Sequence, residues 1–99
     1  MEDWQREVIK TNLPQLVQYT LLNSTLMATM ISRGILNDWD IWTLDAEKHV
    51  GKKHIEFYSI IQTRIGAYDA LMTAMKATAQ TACLSILKVG YERKTQNLI

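Results

Sequence analysis

Residues Gln62–Met75 read QTRIGAYDALMTAM. Within this stretch Tyr68, Leu71, Met72 and Met75 recur at intervals of three and four, the spacing that places side chains on one face of a helix. Just upstream, Ile55, Tyr58, Ile61 and Ile65 repeat the same interval, and Gly66 separates the two runs. The pattern predicts two core helices, about Lys52–Ile65 and about Ala67–Ala77, with Gly66 ending the first.

Working outward, a further helix is predicted over about Gln80–Val89, with Cys83, Leu84 and Leu87 inward and Gly90 as its stop. On the other side, NSTLMATMISRG supplies a cap at Asn23 or Ser24. Its apolar positions are Leu26, Met27, Met30 and Ile31, and Gly34 is placed to terminate in the left-handed conformation. ILNDWDIWTLDAEKH follows, with Asn37 as cap and Asp38 and Asp40 in the first turn, where carboxylates favour the helix dipole. The first helix is predicted over about Asp3–Leu21, with Ile9, Leu13, Leu16, Val17 and Thr20 on one face. Pro14 lies inside it and lacks an amide proton, so a kink or break is expected near Thr11–Leu13. Few stretches alternate with a period of two, and the fold class expected is all-α, six short helices in an antiparallel bundle. Residues 1–90 are expected to form the domain and 91–99 a tail or the start of a linker.

Ninety-nine residues with 47% hydrophobic and 21% charged side chains suit one globular domain, since a chain of this size buries about 60–70% of its unfolded surface. Eleven basic and ten acidic residues leave a net charge of +1, so no global field argues for nucleic acid or an anionic membrane. Apolar runs fall well short of a membrane span, MEDWQREVIK lacks the pattern of a signal peptide, and Cys83 is the single cysteine. A cytoplasmic location is expected.

His49, His54 and Cys83 are the residues that could form a nucleophile and base, but a lone cysteine at an apolar helical position reads as a core side chain, and the histidines read as solvated. No zinc-ligand spacing, phosphate-binding loop or GxGxxG occurs, and the run Asp38, Asp40, Asp45, Glu47 lacks the glycine and terminal glutamate of a calcium loop. No catalytic residue, cofactor or metal is therefore expected. The three tryptophans and five methionines read as core or near-core residues.

One asymmetry remains. Asn37–Glu47 holds four carboxylates and no cation, whereas Lys48–Glu56 holds Lys48, Lys52 and Lys53 against one carboxylate. Consecutive helix starts commonly face different sides, so an acidic and a basic face are expected, suited to head-to-tail docking between similar domains.

NLPQLV (Asn12–Val17), SRGIL (Ser32–Leu36) and TRIGAYDAL (Thr63–Leu71), in this order over residues 4–89, resemble the caspase-recruitment domain (CARD) branch of the death-domain superfamily. The resemblance is strongest to the prodomains of initiator caspases, which carry N-L-x-x-L-V, G-I-L and R-G-x-x-A-[FY]-x-x-[LF]. It implies a six-helix antiparallel bundle with a kinked first helix. The implied function is a homotypic interaction that recruits a protease to the CARD of an apoptosome-type adaptor, with no enzymatic activity in this chain. Carried over by position, Arg6, Lys10, Lys52 and Lys53 would form the basic partner-binding face, and Asp38, Asp40 and Asp45 the acidic one. This chain departs from the pattern in three places. Ile65 separates Arg64 from Gly66, Leu13 and Gln15 stand where cations are expected, and the second helix has no carboxylate. An adaptor, inhibitor-of-apoptosis or viral decoy CARD is the alternative within this fold. A homo-oligomer is also compatible with it. A small nucleic-acid-binding bundle using Lys48–Lys53 and Arg93–Lys94 is the alternative outside it, and no membrane partner is expected.

Overall fold

Pro14 breaks the first helical segment in two. Helix α1 (Asp3–Thr11) stops at Asn12, and α2 (Leu13–Tyr19) restarts with the proline in its first turn, where a missing amide proton costs nothing. The Asn12 side chain donates to Val8 O at 2.8 Å, and Asn12 O accepts from Leu16 N at 2.9 Å, so one residue serves the end of α1 and the start of α2. The computed structural model describes residues 1–96, and within them the chain is all-helical, with five further helices: α3 (Ser24–Ser32), α4 (Asp38–Ala46), α5 (Val50–Gln62), α6 (Ala67–Ala77) and α7 (Thr81–Gln96).

The cap signals act where expected. Asn23 accepts from Leu26 N and opens α3, and Gly34, at φ +75°, turns the chain out of it. Asn37 and Asp40 form a reciprocal capping box at the start of α4, each side chain accepting the other's amide at 2.9–3.0 Å.

Two glycines play other parts than the sequence suggests. Helix α5 ends at Gln62, three residues before the expected Ile65, and Gly66, at φ +76°, is the N-cap of α6 rather than the stop of α5. Thr63–Gly66 is a turn that draws Arg64 inward and leaves Ile65 95% exposed, so Ile65 is not on the core face. Gly90 does not close the last helix. Helix α7 runs through it to Gln96, so 91–96 is helical and not a frayed tail, while 97–99 lie outside the described residues.

Helix α3 packs on α6, α6 on α7, α7 on α1, and α5 on both α2 and α4. The shared core holds Ile9, Leu16, Leu26, Met30, Leu44, Phe57, Tyr58, Ile61, Tyr68, Leu71, Met75 and Leu87 without solvent exposure. Inside it Thr20 and Tyr58 share a hydrogen bond, with Cys83 Sγ 3.4 Å from Thr20 Oγ1. Gln80 clamps the α2–α3 connection, accepting from Leu21 N and donating to Leu21 O, both at 2.8 Å. Every buried side-chain nitrogen and oxygen among the described residues has a partner.

Candidate interaction surface on α4 and α5

Glu47–His49 makes a short connection that folds α5 back along α4. His49 Nδ1 caps α5 by accepting from Lys52 N at 3.3 Å, and the start of α5 therefore lies beside the end of α4. This has a direct electrostatic result. Lys53 Nζ stands 3.6 Å from an Asp45 carboxylate oxygen, so the expected separation of an acidic and a basic face fails here: the two runs meet at this seam.

Asp40 is the larger correction. It is not on a solvated acidic face, because its side chain is 6% exposed and receives Arg64 in a two-pronged pair at 2.8 and 3.1 Å. The same guanidinium donates to Ile35 O at 3.0 Å. The α5–α6 turn is thereby joined to the contiguous α3–α4 connection and first turn of α4, 29 and 24 residues earlier in the chain. The Arg64 hydrogen bonds, aided by the Asn37 amide and opposed by burial, hold the Asp40 carboxyl below its ordinary value of 3.8, and Asp40 raises Arg64 in turn.

Among the other expected cations, Arg6 is tied to the Asp3 carboxylate and to Met1 O on its own helix and flank. Lys10 and Lys52 are exposed and join no ion pair among the described residues, as does Asp38. His54, expected in solvent, is buried, its Nδ1–H donating to Val17 O at 2.8 Å across the α2–α5 contact. Burial raises the Cys83 thiol, which disfavours its nucleophilic form. Among the described residues no three side chains of metal-ligating type converge, and no helix is long and apolar enough to cross a membrane.

What α4 presents outward is aromatic. Trp39 and Trp42, expected in the core, are 69% and 63% exposed, with ring centroids 5.0 Å apart and planes tilted by 43°. By helical periodicity Asp45, Asp38, Trp42, Ala46 and Trp39 follow one another around a sector of about 120°, all exposed. Leu44 and Asp40 occupy the opposite, buried side. Beyond Ala46 a shallow groove between α4 and α5 is lined by Thr43, Glu47, Lys52 and the half-exposed Ile55. An apolar centre with a charged rim is the usual composition of a protein-docking patch. A signal for it was present in the sequence: Trp42 sits four residues after Asp38 and three before Asp45, which puts the indole on a charged face.

Neither a scan against models of known protein families nor a search of curated proteins finds a match to this chain.

Proposed function

We propose that the chain is a protein-recruitment domain of the CARD type, a death-domain bundle in which α1 and α2 are the two halves of a broken first helix and α3–α7 are helices two to six. In this reading it engages the CARD of an apoptosome-type adaptor and concentrates an attached initiator caspase for activation by proximity. The broken first helix carries the reading most directly, because the chain breaks at Asn12–Pro14 within NLPQLV and a kinked first helix is characteristic of the family these motifs resemble.

The charges left unpaired narrow the basic face. Lys53 is engaged by Asp45 and Arg6 by Asp3, so Lys10 and Lys52 are the cations available to a partner. The acidic, adaptor-like alternative is weakened, since Asp40 is held by Arg64 and Asp45 by Lys53, leaving Asp38. The nucleic-acid reading is weakened by the same Asp45–Lys53 pair.

Lys10→Glu combined with Lys52→Glu is expected to weaken capture of an adaptor CARD by about tenfold or more, because like charges brought together at an interface cost on the order of 1 kcal/mol or above. The thermal melt should not move, since both side chains are exposed. Binding by the parent should also fall with added salt, which screens rim pairs beyond about 8 Å. Unchanged capture by the double variant would overturn the basic face.

A further inference from the structure

We propose that the α4–α5 junction is an acid-sensitive clasp, in which His49 holds the first turn of α5 only while its imidazole is neutral. The inference goes beyond the recruitment reading and does not depend on it.

Three observations give the imidazole this role. His49 is the N-cap of α5, and its Nδ1 accepts from Lys52 N at 3.3 Å. The usual caps are side-chain oxygens, as at Asn23 for α3 and Asn37 for α4, and these remain acceptors across the neutral range. An imidazole nitrogen accepts only while it carries no proton, so this contact requires the neutral ring with its proton on Nε2. Secondly, the ring lies against the helix start. A Cβ at Gly51 would stand 3.2 Å from His49 Cε1 and 3.4 Å from Nδ1, so the second residue of α5 leaves room for the imidazole where a side chain would press on it. Thirdly, the His49 amide donates to a Glu47 carboxylate oxygen at 3.0 Å, which holds the backbone that carries the ring.

Protonation reverses the contact. A proton on Nδ1 turns two donors toward each other at the Lys52 amide and puts a cation at the positive end of the α5 dipole. The charged groups around the junction pull both ways. Lys48, Lys52 and Lys53 oppose a cation here, whereas Asp45 and Glu47 at the end of α4 and Glu56 one turn along α5 favour it, with Asp45 already engaged by Lys53. Whatever these charges add or subtract, a protonated Nδ1 cannot accept. Acidification therefore releases the first turn of α5, the turn that carries Lys52 and Lys53.

Amide hydrogen exchange on the full chain reads the two states at about pH 8 and about pH 5, the range over which imidazoles change charge, with each rate compared with the intrinsic rate at that pH. In the parent the protection of the Lys52 amide should fall about fivefold or more on acidification, the size of a typical cap. His49→Asn supplies an acceptor that does not titrate and should hold that protection within about twofold, while His49→Ala should be weakly protected at both pH values. The Leu26 amide, capped by Asn23, should stay level in all three proteins. His54 is common to them and its Nδ1 can donate to Val17 O in either protonation state, so the contrast between parent and His49→Asn isolates His49. Equal Lys52 protection at both pH values in the parent, or as large a fall in His49→Asn, overturns the proposal. A parallel fall at Leu26 also overturns it, because the loosening would then be global. Adaptor capture plays no part in this readout, so its failure overturns the CARD reading alone.

Discussion

Arg64→Leu is expected to lower the free energy of unfolding by about 3 kcal/mol, the low end of the range for breaking a buried ion pair from one side. The low end applies because the Arg64 side chain remains one-third exposed and is partly screened, while Asp40 is 6% exposed and would be left without its cation. The Ile35 carbonyl loses its Arg64 donor in the same step. Urea unfolding of parent and variant measures the difference, and a loss below about 1 kcal/mol would show that the pair behaves as an ordinary surface bridge. Asp40→Asn should cost less, since an asparagine oxygen can still accept from the Asn37 amide.

The same pair sets an acid limit. The folded Asp40 carboxyl lies below the ordinary value of 3.8, so between those two values the unfolded chain binds a proton that the native chain does not. The stabilisation from Asp40 is complete above the unfolded value and is lost as pH falls through the folded one. A plot of unfolding free energy against pH below about 5 should therefore fall less steeply for Arg64→Leu than for the parent. Parallel curves would remove Asp40 from the acid response.

Gly90→Val is expected to be comparably damaging, by about 3 kcal/mol, at the top of the usual range for overpacking. A Cβ at Gly90 would stand 2.7 Å from both γ-carbons of Val8 and 3.1 Å from the Tyr68 hydroxyl. Valine in a helix has one strongly preferred rotamer, so Val8 cannot swing aside and α1 must move off α7. The tenths of a kcal/mol gained by removing a mid-helix glycine do not offset this. Gly90→Ala should cost less, about 1–2 kcal/mol, and Val8→Ala should partly rescue it in the double variant. Additive losses in that cycle would show that the two positions are not in contact.

Local signals were legible in the sequence and non-local ones were not. Pro14, Asn23, Gly34 and Asn37 act on backbone groups within a few residues, and the helix break, both caps and the left-handed turn follow from them directly. Gly90 was misread because a glycine after an apolar run usually stops a helix, whereas its role here depends on Val8 near the opposite end of the chain. Ile65 continued a helical period on paper, yet the turn that throws it outward is shaped by Arg64 reaching Asp40 on another helix. Asp40 and Asp45 belonged to one acidic run, and only packing separates the buried carboxylate from the one facing Lys53. His54 and Trp39 went wrong for a related reason. Residue type sets a preference for burial, while the face that α4 turns to the core and the closeness of α2 to α5 decide the outcome.

The pairing of α1 with α7 also orders events in time. At nine and seven residues, α1 and α2 are shorter than the roughly 12–15 that a lone helix needs to persist in water. Helix α1 packs on α7 and on α5, and its contact with α7 closes nearly the whole described chain into one loop. That closure is entropically costly until the intervening helices have condensed. Of the helices described, the first in chain order is therefore expected to be among the last to take its final shape, and until then the side of α7 carrying Gly90 is left uncovered.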